Sequence, residues 1–559
     1  MEELKETKFS KFLAVGLFLT TIVVMTIQVS DPVNVPKLLI LGTFSFGILP
    51  YFTRTIIATE KYLFGLGLSY IILSFIVSFL SEAPFSQNFY GLPGRNTGII
   101  ASISFVIILF FASSIRFEKN SKLLIWALML SGVVNIIYGI VEHFFGDPIP
   151  WINNYGALLG TFGNPDFAGA FYGLLIAFYL SFALAESVSL RERIIYIILT
   201  ILSFICVIFT KTTQGMLVAL ISFTLVMIAF MHFRIKRKFL TFTFSIFVLS
   251  GGIVALLGIF QRGPLENFLY KRSVSLRGIY WDAAFNTGMS HFFTGVGLDS
   301  FGDWYRRERS LKAATWFPGP DTITNVAHNY YLDIFATGGI LYLIVYFTIS
   351  LIGLISAIKI IKSMKNFNPI NIGLIVFFLG FQAQAIISIP QLGIAIWGWV
   401  VIGLLYRQAK FADEKNVKFQ NQSIKKKTIR KTDSPIGVFI FVSSAIGLLI
   451  SVPPYSADSK YRSALESSDL NKLESALASS YFSPSTSERL AAASYLLEQN
   501  KLYEQSHKYA VAGVKFNQDY FDAWKVLYFV KNSSSKERAL ALENMRRLDP
   551  LNKELETLK

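Results

Sequence analysis

The strongest constraint on this chain is a succession of apolar stretches, each close to the length that crosses a bilayer as a helix, separated by short polar loops. A crossing needs roughly 17 to 25 apolar residues. Thirteen stretches approach or meet that length: about 10–29, 37–53, 61–81, 97–115, 121–145, 165–185, 192–210, 213–232, 239–260, 338–358, 370–389, 392–406 and 435–452. Two are marginal, since the pair around Lys211 also reads as one broken helix and 392–406 is short for a full crossing. Composition agrees: 53% hydrophobic and 16% charged residues over 559, with a mean hydropathy of +0.49, do not suit a soluble globular chain. The fold expected is all-α, a polytopic membrane protein of about 12–13 transmembrane helices.

The loops test that count independently, because lysine and arginine concentrate on the cytoplasmic side. With the N-terminus inside, the inner segments hold Lys5, Lys8 and Lys11; Arg54 and Lys61; Arg116, Lys119 and Lys122; Arg191 and Arg193; Arg234 to Lys238; Lys359, Lys362 and Lys365; and a run from Arg407 to Lys431. The short outer loops hold only Lys37, Arg95 and Lys211. The net charge of +16 is therefore mainly a topology signal, with Lys425 to Lys427 resting near anionic headgroups. Nucleic-acid binding is not expected, because basic and aromatic residues do not interleave outside the membrane. The single cysteine, Cys206, lies in an apolar run and implies neither disulfides nor a metal site. No small-residue cleavage site follows Val29, so the first helix reads as retained.

This parsing predicts a membrane domain over 1–434, with a long outer loop at 261–327 and a basic cytoplasmic loop at 407–434. A final crossing at 435–452 and an extracytoplasmic tail at 455–559 follow. The tail, after Pro453 and Pro454, is polar and rich in Ala, Leu and Glu with helical periodicity. Phe482, Phe516 and Leu548 recur at intervals near 34 residues, a period that resembles tetratricopeptide-like repeats and suggests a protein-docking surface.

Polar residues gather at outer helix ends in five places. Arg95 lies in the run Gly91 to Gly98. Asn164 precedes Pro165 in the run Gly160 to Gly169, where a helix start points N–H groups outward. Lys211 and Gln214 sit between two spans. Arg277, Trp281, His291, Asp299 and Asp303 lie in the long loop. His328, Asn329 and Asp333 follow at its end, where a histidine can handle protons near neutral pH. Each also has a structural reading: a snorkelling arginine, a capping asparagine, an interfacial histidine.

Taken in this order, Gly91–Arg95–Gly98, Gly160 to Pro165, Arg277–Trp281 with Gly295, Gly297 and Phe301, and His328–Asn329–Leu332 resemble the O-antigen ligase and O-antigen polymerase superfamily, including its protein O-oligosaccharyltransferase branch. The resemblance covers roughly 90 to 406. It implies transfer of a glycan from a polyprenyl diphosphate carrier to a glycan, lipid or protein acceptor hydroxyl outside the bacterial cytoplasmic membrane, with no cofactor and no metal. It further implies that His328 activates the acceptor and that Arg277 holds the diphosphate. Lys211, Gln214 and Arg95 are secondary candidates for carrier binding, Asn164 is a further substrate contact, and Asn329 or Asp333 orients the imidazole. The chain departs from the family at Thr213–Gln214–Gly215, where a second arginine is usual, and at Ala336–Thr337, where an acid is common; Lys211 is a candidate substitute for the arginine. Glu142 and His143 lie near the same surface without a family role. The alternatives are a transporter of lipid-linked saccharides or other polyanions, and a scaffold acting through its tail.

Overall fold

The computed structural model describes residues 2–151, 153–259, 262–264, 266, 272–315, 319–418 and 436–558, without a β-strand among them. Gln261 and all of the basic run after Lys418, Lys425 to Lys427 included, lie outside the described residues.

Every predicted apolar stretch contains a helix, the first ending at Ile22 and the second at Gly47, short of the expected 29 and 53: Glu2–Ile22, Asn34–Gly47, Lys61–Leu80, Ile99–Ser114, Glu118–Phe145, Pro165–Ala183, Leu190–Phe209, Thr213–Phe230, Lys238–Ile259, Tyr330–Ser363, Pro369–Ile387, Leu392–Lys418 and Ile436–Ser467. Ten helices among the described residues are long and apolar enough to cross a membrane, and Ile99–Ser114 is a shorter apolar helix. Glu2–Ile22 has a charged first half, and Asn34–Gly47 has 14 residues. The chain is a multi-pass membrane protein.

Of the local expectations, one alternative is decided in favour of the two spans counted and two others change. The pair around Lys211 is two helices joined by a tight turn in which Lys211 takes φ +54°. The stretch 392–406 belongs to a helix reaching Lys418, longer than its hydropathy suggested; Lys410 meets Glu60 at 2.6 Å and the Arg407 guanidinium stacks 3.8 Å over Phe411, so these cations continue the helix. Lys37, read as a loop charge, is fully buried in a helix and donates to the Thr21 carbonyl at 2.5 Å.

The connections alternate between the two ends of the bundle, as hairpin-linked crossings require. At one end Glu6 gathers the backbone N–H groups of Arg116 and Phe117 and the Asn120 amide. At the other, segments near 30–34, 94–95, 151–167, 388–389 and the long loop converge on one cavity. This is the loop-rich end.

A break in one helix builds much of it. Tyr330–Ser363 kinks at Gly339, whose φ of +73° interrupts the hydrogen-bond ladder. The long loop satisfies the groups set free: Val296 and Gly297 donate to the Ala336 and Thr337 carbonyls, both at 3.0 Å, and Ile340 donates to Phe292 at 2.8 Å. A Cβ on Gly339 would lie 2.6 Å from Phe293 backbone, so only glycine allows both the turn and the approach.

Pro453 and Pro454 do not end the last helix, which runs on to Ser467. A proline removes a donor to the carbonyl one turn back, and the Tyr481 hydroxyl replaces it on Leu449. The tail then folds as helical hairpins, Ser487–Gln499 with Tyr503–Phe516 and Phe521–Phe529 with Ser535–Leu548. Phe516 and Leu548 end equivalent helices, whereas Phe482 sits in an exposed turn.

Buried ion pairs hold the tail to the loop-rich end. Asp549 accepts from Arg306 at 3.1 Å and Arg309 at 2.7 Å, and Asp519 pairs with Arg307 at 2.8 Å. Asp458 accepts from Ser30 and Asp31 N–H groups and from Arg489 at 2.6 Å, tying the first connection to the last helix and the tail. Removing one partner of such a buried pair costs about 3–5 kcal/mol. Asp549→Ala should therefore raise hydrogen exchange across 301–309 and 535–558 while leaving the membrane helices protected.

Candidate functional site

The cavity at the loop-rich end has a volume of about 610 Å³ and is lined by Arg95, Asn164, Gln214, Arg277 and His328, together with Asp31, Trp151, Asp166 and Ser388. Five of the eight residues proposed from sequence thus meet in one space, although they come from five separate parts of the chain.

His328 occupies it with a left-handed backbone, φ +51°, uncommon for a residue with a Cβ. Its surroundings enforce that conformation. Asn329 caps the next helix by accepting from Tyr331 and Leu332, both at 3.1 Å, while Asp333 accepts from Ala327 at 3.0 Å. Trp281 donates to the His328 carbonyl at 3.3 Å. Asn329 and Asp333 therefore fix the backbone on both sides of the histidine without lining the cavity. The ring itself stacks on Tyr280, with centroids 5.6 Å apart.

Arg277 lies on the helix Arg272–Ser290, its side chain 16% exposed, and reaches Asp166 at 3.5 Å. Asp166 follows the cap Asn164, whose side chain accepts from the Asp166 N–H at 2.8 Å, so the expected capping role and a cavity position coincide. Arg95 sits in a loop clamped by Asp299, which accepts from Thr97 Oγ1 at 2.7 Å, Thr97 N–H at 3.2 Å and Leu92 N–H at 3.1 Å. Burial pulls both guanidinium groups below their ordinary values, opposed at Arg277 by Asp166 and at Arg95 by Asp299 and Asp333.

Gln214 is brought in by close helix packing. A Cβ on Gly215 would lie 2.7 Å from the Gly169 Cα, so the two small residues let Thr213–Phe230 press against Pro165–Ala183. Gln214 donates to Ser388 Oγ at 3.1 Å, while its Oε1 has no hydrogen-bond partner among the described residues. Lys211 does not line the cavity; its ammonium donates to the Gly156 carbonyl at 2.7 Å. Glu142 and His143 stand outside as well: Glu142 accepts from Leu159 and Gly160 N–H groups, and His143 stacks on Phe209 with centroids 3.5 Å apart.

Sequence reasoning missed Asp31, Trp151, Asp166, Tyr280 and Ser388. Asp31 had a legible signal, since it accepts from Val33 and Asn34 at a helix start, and Trp151 is anchored by Asp147. Among the described residues no group of three or more His, Cys, Asp or Glu is arranged to hold a metal ion.

Desolvation, reinforced by the charges of Arg277 and Arg95, lowers the His328 imidazole to about 4. Histidine is thus neutral across the physiological range and can accept a proton, while the two guanidinium groups favour an anion in the same space. A polytopic helical membrane protein with a cationic, imidazole-bearing cavity at one end is the class defined by the fold and the site. Residues 198–347 match the family described as O-Antigen ligase, a span that includes Gln214, Arg277 and His328, and this supports the O-antigen ligase superfamily. No curated protein matches the chain.

Carbethoxylation by diethyl pyrocarbonate, which requires neutral imidazole, tests the site's electrostatics. For His328 its rate should be half-maximal near pH 4, as against about 6.5 for free histidine. Because the Arg277 charge lowers the imidazole pKa, Arg277→Ala should move that midpoint upward.

Proposed function

We propose that the chain is a glycosyltransferase that moves a glycan from a polyprenyl diphosphate carrier to an acceptor hydroxyl, with the loop-rich end facing out of the bacterial cytoplasmic membrane. The observation that carries this reading is the convergence of Arg95, Arg277 and His328 on one cavity. Breaking the bond between the sugar C1 and the diphosphate oxygen leaves charge on the leaving group. Fixed guanidinium groups in a desolvated site stabilise that charge, without reorganisation as the bond breaks. The acceptor oxygen bonds to C1, and its proton passes to the neutral His328 ring. Bound diphosphate sits beside the imidazole and raises its basicity as the reaction needs it. Asp166 is the anionic partner of Arg277, and the diphosphate takes its place.

Sidedness rests on the lysine and arginine pattern, which puts the N-terminus in the cytoplasm and the tail outside. The tail, read as a tetratricopeptide-like module at 455–559, would meet a protein partner there. A polyanion transporter would place its binding groups near the bilayer midplane; the cationic cavity here lies at one end of the bundle, which favours the enzyme.

Purified protein assayed for glycan transfer from a polyprenyl diphosphate donor tests the reading. His328→Ala should lower kcat by about 10²–10⁴-fold, and Arg277→Ala should lower kcat/KM by about 10²–10³-fold. Lys211→Ala should leave both nearly unchanged, because its ammonium lies outside the cavity. Full activity in the His328 and Arg277 variants, with normal membrane insertion, would refute the assignment.

A further inference from the structure

A second cavity, of about 290 Å³, opens where the tail meets the loop-rich end. It is lined from the membrane side by Tyr90 and Asn96, and from the tail by Phe516, Tyr520, Glu488 and Asp522. Its wall against the first cavity is one loop thick. Arg95 lines the first cavity and the next residue, Asn96, lines the second. Asp299 clamps this loop, and the Asn34 amide pins it by donating to the Gly94 carbonyl at 2.7 Å.

We infer that this second cavity binds a saccharide: a portion of a glycan chain whose reacting end lies at His328. The inference rests on the glycosyltransferase reading for what reacts, and on the cavity's own chemistry for what it holds. Asn96 is 2% exposed, and its Oδ1 is buried without a hydrogen-bond partner among the described residues. A buried amide oxygen left without a donor is an acceptor waiting for a ligand hydroxyl. Glu488 and Asp522 make no hydrogen bond or ion pair with another described residue, so they too are open to hydroxyl donors. Tyr90, Phe516 and Tyr520 supply aromatic surface, on which the C–H faces of sugar rings pack, and the tyrosines add a polar tip.

The same lining disfavours other ligands. The two arginines at the cavity, Arg306 and Arg489, are ion-paired with Asp549 and Asp458, and Arg489 also offsets part of the Glu488 charge, so neither is left over to hold phosphate. A basic peptide is the remaining competitor, since Glu488 and Asp522 would attract it.

The test uses the full-length protein in detergent and three calorimetric titrants: glycan released by mild acid from the lipid-linked pool of the producing cells, inorganic pyrophosphate, and a lysine-rich peptide. Asp522→Asn combined with Glu488→Gln, and separately Tyr520→Ala, should weaken glycan binding at least fivefold and leave pyrophosphate binding unchanged. Arg277→Ala should do the reverse. Glycan binding indifferent to both tail variants overturns the inference while pyrophosphate still reports on the donor reading. Peptide binding that depends on those residues, in place of glycan binding, overturns it in favour of a polypeptide. Loss of pyrophosphate dependence on Arg277 alone would count against the donor site and not against this cavity. In transfer assays with the same variants, a raised KM for acceptor assigns the bound glycan to the acceptor, and a raised KM for donor assigns it to the donor's distal sugars.

Discussion

Two guanidinium groups and an imidazole share a desolvated space at one end of an apolar bundle, and the rest of the architecture serves to keep them there. Positive charge withdrawn from water is costly unless it is paired. Here the pairing is incomplete by design of the fold: Asp166 lies 3.5 Å from Arg277, and Asp299 and Asp333 support Arg95. The field that remains has two effects. It adds to the desolvation that chiefly keeps His328 unprotonated, and it favours an incoming anion. Both properties follow from one arrangement, so in the proposed mechanism donor capture and proton acceptance are coupled by electrostatics rather than by separate devices.

That arrangement depends on backbone geometry a helix alone cannot supply. The kink at Gly339 frees carbonyl groups that the long loop then occupies, and this seats the loop against the helix that begins just after His328. The left-handed turn at His328 is held from both sides by Asn329 and Asp333. The tail adds a further brace through Asp549 and Asp458, which link the long loop and the first connection to the C-terminal hairpins. Strained backbone of this kind persists where its surroundings over-determine it.

The spans were legible because a bilayer imposes length and polarity on every crossing, and the helices lie where hydropathy put them. The exceptions have identifiable causes. Arg407 and Lys410 cut short the apolar count at 406, yet each finds a partner within the helix bundle. Pro453 and Pro454 looked like a terminus, but a tyrosine from the tail supplies the missing donor. At the site, Arg95, Arg277 and His328 stood out as polar residues at helix ends. Lys211 stood out equally, and its turn sends the ammonium to Gly156 instead. Trp151 and Ser388 reach the cavity only through tertiary packing, which leaves no periodic trace in the sequence.

In the proposed mechanism an anion bound by Arg277 is sensed by His328. Calorimetric titration of inorganic pyrophosphate into the intact protein near pH 5, repeated in buffers of different ionisation enthalpy, measures the protons exchanged on binding. Because burial and the nearby guanidinium charges lower the imidazole to about 4 and a neighbouring anion raises it, binding should draw a proton onto the protein. The excess over the proton exchange of His328→Gln should be clear, and Arg277→Ala should bind weakly. Equal proton exchange in the native and His328→Gln proteins, at equal affinity, would contradict the account.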